Sequence, residues 1–109
     1  MATTQEILNN LNITSNYKGY GMIETAVDIV LEDETALDSV VEKVYNKVAE
    51  INNISKVSVE RNIRTAITHS WNVAPHRCSK VLDYKCEKPP HASLFIKLIV
   101  EKLKKENHM

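Results

Sequence analysis

Glu60, Arg61, Arg64, Thr65 and Thr68 have the types and spacing needed to read a nucleic acid. They follow i, i+1, i+4, i+5, i+8 and so share one side of a helix, opposite an apolar stripe of Val59, Ile63 and Ile67. Arg bonds guanine O6 and N7 with two parallel N–H groups, Glu accepts from cytosine N4, and Thr touches a thymine methyl or a phosphate. Ser55, Lys56 and Ser58 open the same helix, where a recognition helix meets base edges and backbone. These eight residues are the candidate DNA contacts. The other reading of the same spacing is a solvated face braced by an i,i+4 pair between Glu60 and Arg64.

A second group is His76, Cys78, Cys86 and His91, four residues of types able to bind zinc. It contains no Cys-x-x-Cys pair, the usual mark of a structural zinc site. Neither an oxyanion site nor an orienting acid accompanies Cys78 and His76, as a nucleophilic pair would require. Ordinary loop thiols and imidazoles, with no metal, no cofactor and no enzymatic activity, are the expectation. A small metal-binding protein using this loop is the alternative.

The elements that position these groups read as helices. Thr4 to Leu11 forms a short first helix, and residues 12–19 interrupt it. From about Tyr20 to Leu31, Ile23, Ala26, Val27, Val30 and Leu31 make one apolar face. Thr35, with Asp38 three residues on, has the form of an N-cap opening a third helix. Its stripe is Leu37, Val40, Val41, Val44, Val48 and Ile51. Asn52-Asn53-Ile54-Ser55 breaks the pattern, because Asn tolerates a left-handed backbone and Ser caps the next helix. That helix runs from Lys56 to about Trp71, with Trp71 on the buried stripe. Asn72 to Pro90 is irregular, with one short helix around Ser79 to Tyr84. A last helix starts near His91 or Ala92 and buries Phe95, Ile96, Ile99, Val100 and Leu103. The expected fold is a compact all-α bundle of about six helices containing a helix-turn-helix from Leu37 to Trp71, with 1–109 as one domain.

Composition excludes other classes. The chain has 109 residues, 43% of them hydrophobic, which argues against disorder. Its 2 Gly and 3 Pro argue against a fold of many tight turns. No apolar run approaches the roughly 18 residues that cross a bilayer. Nothing at Met1 to Glu6 resembles a signal peptide, so cytoplasmic residence is expected. The net charge of +0 hides a division: residues 1–50 carry 3 basic and 9 acidic side chains, and residues 51–109 carry 11 basic and 5 acidic ones. Such asymmetry fits an anionic partner for the second half, unless folding mixes the two.

Three blocks carry a resemblance: Tyr17-Lys18-Gly19-Tyr20, then Val59-Glu60-Arg61-Asn62-Ile63-Arg64-Thr65-Ala66-Ile67 closed by Trp71, then Lys88-Pro89 before Phe95-Ile96 and Lys102-Leu103. Together, from about Ile7 to Lys105, the chain resembles the C-terminal DNA-binding effector domain of the stage zero sporulation response regulator of endospore-forming bacteria. The resemblance implies a six-helix domain that binds short promoter boxes of double-stranded DNA in the nucleoid, often as two domains on adjacent sites. It implies that Glu60 and Arg61 read base edges, with Arg64 as the second Arg of the motif. Where the family commonly has His, this chain has Thr65. The segment Asn72 to Glu87 differs from the family and is shorter; in the family that region offers a surface to RNA polymerase sigma factor. No phosphoacceptor receiver domain precedes the effector here, which fits either a fragment of a two-domain regulator or a stand-alone relative. A protein-interaction domain that keeps the fold without binding DNA is the remaining alternative.

Overall fold

The computed structural model describes residues 2–108. Met1 and Met109, which the sequence boundaries include, lie outside the described residues. Six α-helices occur in the order α1 (Thr4–Asn10), α2 (Lys18–Glu32), α3 (Asn46–Asn52), α4 (Lys56–Val73), α5 (Pro75–Leu82) and α6 (Ala92–Glu106). Between α2 and α3 lie a tight 3₁₀ segment (Glu34–Ser39) and a wide π turn (Val41–Tyr45). The all-α expectation holds, with no strand among the described residues.

Three stripes read from the sequence meet in the core. Ile23, Val27 and Val30 of α2, Val59 and Ile63 of α4, and Ile96 and Ile99 of α6 are fully buried. Leu8, Leu11, Ile13 and Phe95 are buried in the same cluster. Removing this apolar surface from water, at roughly 25 cal/mol per Å², is the main stabilising term. Trp71, placed on the stripe by its spacing, packs against the core and stays partly exposed. Thus α4, two residues longer than expected, is held chiefly by its aliphatic residues.

α2 begins two residues before its expected start, so Gly19 is helical and not part of a loop. A β-carbon at Gly19 would collide with the Asn62 carbonyl oxygen of α4 and lie 3.3 Å from the Ala66 β-carbon. Glycine is what lets the two helices approach this closely.

Residues 34–52 depart from the single regular helix expected. Thr35 is not the cap: the Asp33 carboxylate accepts from the Thr35 backbone N–H (3.1 Å) and hydroxyl (2.6 Å). The Thr35 hydrogen bonds hold the Asp33 carboxyl below its usual pKa. A 3₁₀ turn uses fewer residues than an α turn and a π turn uses more, so the side-chain register shifts. Ala36, Val44, Tyr45, Val48 and Ala49 are therefore buried, while Val41 (42%) and Ile51 (69%) face solvent despite lying on the expected stripe.

The segment after α4 is also more regular than expected. Pro75 starts α5 rather than breaking structure, because proline at the first helical turn gives up no needed donor. α5 therefore lies earlier than the expected Ser79 to Tyr84, and Asp83 ends it in a left-handed conformation (φ 51°). Charge is partly mixed by folding. Glu34 of the acidic half pairs with Lys104; within the basic half, Lys102 bridges Asp83 (3.1 Å) and Glu106 (2.8 Å).

Candidate nucleic-acid interface

The helix-turn-helix is built locally as the sequence suggests. Asn53 takes the left-handed conformation (φ 54°, ψ 47°), and the chain closes back with the Ile54 N–H on the Ala49 carbonyl at 3.1 Å. The Ser55 hydroxyl accepts from the Ser58 N–H at 3.1 Å and donates to the Ser58 hydroxyl at 2.9 Å. This cap satisfies a donor that the first helical turn leaves free. It also occupies two candidate contacts, Ser55 and Ser58, in fixing where α4 starts.

Lys56 is the exposed first residue of α4. Arg61, Arg64, Thr65 and Thr68 are exposed, and Glu60 is half-buried. Helical spacing brings Arg61, Arg64, Thr65 and Thr68 to one surface, with Glu60 at its edge beside the buried stripe of Val59, Ile63 and Ile67 and Lys56 at the helix end above that stripe. The Arg64 guanidinium lies 3.2 Å from the Glu60 carboxylate, the pair expected of a solvated face. At this exposure such a pair contributes only about 0.3–0.5 kcal/mol, so it orients Arg64 without locking it. The Thr65 hydroxyl donates to the Arg61 carbonyl at 2.9 Å, inside its own helix. Among the described residues the Arg61 guanidinium has no ion-pair partner.

Tertiary packing adds what spacing could not supply. Burial, and then the charge of nearby Glu60, pushes the Tyr45 hydroxyl up to about 12, so it stays a neutral phenol behind the recognition face. Lys18 and Met22 of α2, Asn52 at the end of α3, Ile54 of the turn, and Ser58, Arg61 and Asn62 of α4 line one open recess. Lys18 belongs to the Lys-Gly-Tyr block, but only packing puts it on the same recess as Arg61. The Tyr17 and His69 rings lie 4.6 Å apart and tie the entry of α2 to the far half of α4. Val57, an apolar residue outside the sequence pattern of polar contacts, stands exposed in the first turn of α4.

The His/Cys loop is put to structural use. The Cys78 and Cys86 sulfurs lie 3.4 Å apart. The His91 ring caps α6 by accepting the Leu94 N–H at 3.3 Å, and His76 lies on the exposed start of α5. Among the described residues no group of three or more His, Cys, Asp or Glu side chains is placed to hold a metal ion.

No helix among the described residues is long and apolar enough to cross a membrane. The family described as the sporulation initiation factor Spo0A C-terminal domain matches residues 4–103. That match covers every helix described above except the end of α6, and the chain belongs to this family of helical DNA-binding effector domains.

Proposed function

We infer that this chain is a transcription regulator's effector domain that reads promoter boxes in the major groove with α4. The observation that carries the reading is Arg61: exposed, without an ion-pair partner among the described residues, and fixed on a helix capped by Ser55. Glu60 and Arg61 meet base edges, and Arg64, released from Glu60, takes a base or a phosphate. Lys56 and Lys18 flank them as phosphate contacts, and Thr65 and Thr68 follow along the groove. Ser55 acts through the helix start it fixes, and the Ser58 hydroxyl, which accepts from Ser55, keeps its own O–H to donate to a phosphate. The described residues act as one domain, in the cytoplasm at the nucleoid, and pairs of domains occupy adjacent boxes. A contact with RNA polymerase sigma factor through the segment around α5, where His76 and Lys80 are exposed, rests on the family resemblance alone.

The experiment is selection of duplexes from a random-sequence pool by the purified chain, followed by competition between the enriched box and its scrambled sequence. Enrichment of a shared box, bound at least about ten-fold tighter than the scramble, is the expected result. Equal binding of box and scramble overturns sequence reading, and no binding at low salt overturns the DNA interface altogether.

A further inference from the structure

The centre of the recognition face is held by an apolar side chain. At about 100° per residue, Val57, Arg61, Arg64 and Thr68 fall within an arc of about 60° on α4. Val57 lies in the first turn, the end of a recognition helix that goes deepest into the major groove. It is 60% exposed, while Val59 of the same helix is fully buried. A single exposed apolar residue is common and by itself calls for no partner. Here, however, it shares its arc with two arginines and lies on the face opposite Val59 and Ile63, so what the arginines approach, Val57 approaches too.

Only one base offers an apolar group in the major groove: thymine, with its C5 methyl. Of the residues in the first turn, Ser58 is engaged with Ser55 and Lys56 carries a charge. That leaves the Val57 isopropyl group as the apolar surface available there. We propose that Val57 is a specificity-determining residue that packs on a thymine methyl, selecting thymine at one position of the box beside the base pair read by Arg61. The assignment rests on the reading of α4 as the recognition helix.

The test uses the full chain and the box enriched by it from a random pool. Each thymine is replaced singly by uracil, which removes the methyl and keeps base pairing. Wild type is expected to bind about four-fold more weakly at one thymine position, equivalent to the roughly 0.8 kcal/mol of one buried methylene-sized group. Val57→Ala binds the thymine and uracil duplexes alike at that position, and Val57→Ile keeps the preference. Circular dichroism controls for folding, which a change at an exposed site leaves intact. A box without thymine, a wild type indifferent to uracil at every position, or a Val57→Ala protein with the full wild-type ratio overturns the proposal. If Val57→Ala instead abolishes self-association and leaves the ratio unchanged, the side chain belongs to a contact between copies, and the proposal falls. Arg61→Ala distinguishes the two levels. If it relaxes the box while no uracil effect is seen, α4 reads DNA and only the role of Val57 is wrong. If no box is enriched at all, the recognition-helix reading falls and this one with it.

Discussion

Gly19 of α2 faces the carbonyl oxygen of Asn62 in α4 with no room for a β-carbon between them. This close approach fixes the recognition helix against α2, and it gives the Lys-Gly-Tyr block a packing role.

The two glycines are therefore expected to behave oppositely. Gly19→Ala forces α2 and α4 apart and should cost about 1–3 kcal/mol. A β-carbon at Gly21, in the same helix, would meet nothing within 4 Å, so Gly21→Ala should stabilise by about 0.5–1 kcal/mol. Thermal or urea unfolding of both variants measures this, and a Gly19→Ala protein as stable as wild type would show that the helices separate freely.

Arg61→Ala should cost about 1–3 kcal/mol on the enriched box and less on scrambled DNA, with folding intact. Arg61→Lys should lose the preference as well, because an ammonium lacks the two-pronged geometry. Competition binding reads both, and retention of the wild-type preference in Arg61→Ala would transfer the base contact to Arg64.

Salt should weaken binding steeply. With about four phosphates neutralised, log K should fall against log[salt] with a slope of about −3 to −4. Lys18→Ala should reduce the magnitude of that slope by about 1 if Lys18 meets a phosphate. An unchanged slope removes the α2 entry from the interface.

The two thiols should differ in reactivity. Burial, and then the hydrogen bond with Cys86, pushes the Cys78 thiol up to about 12, while Cys86 is the more accessible sulfur. Mass spectrometry after brief alkylation near neutral pH should find the label on Cys86, with Cys78 labelled only after denaturant is added. Equal labelling of both in the native protein would contradict the packing of α5.

Acid should remove the contribution of the ion pairs around Lys102. The Lys102 hydrogen bond and charge hold Asp83 below its usual carboxylate value, and the same Lys102 lowers Glu106. A carboxyl depressed in the folded state stabilises above its unfolded pKa and loses that contribution as pH falls through the folded value. Lys102, raised chiefly by Glu106 and then Asp83, stabilises below the ordinary lysine pKa and loses its share as pH rises through the raised one. The stability gap between wild type and Lys102→Met should therefore be greatest near neutrality and shrink below about pH 4. A gap independent of pH would mean that only the lysine's methylenes matter.

Features that depend on spacing within one helix were legible in the amino-acid order. The stripes of α2, α4 and α6, the left-handed Asn53, the Ser55 cap and the common face of Glu60, Arg61, Arg64, Thr65 and Thr68 follow from a 3.6-residue period and the backbone preferences of single residues. Features that need a neighbour from another element were not. Periodicity puts Val41 and Ile51 inside, but the 3₁₀ and π turns re-register residues 34–52 to fit Val44, Tyr45 and Val48 into the core. Pro75 reads as a breaker along the chain, yet α5 forms because Cys78 and Leu82 have a surface to pack on. Gly19 looks like a loop residue because its constraint is the Asn62 carbonyl, 43 positions away along the chain. That Lys18 and Arg61 line one recess, and that Cys78 lies beside Cys86, is likewise set by packing between elements. Local spacing fixes which way a side chain points from its own helix; only close packing against other helices fixes what it then meets.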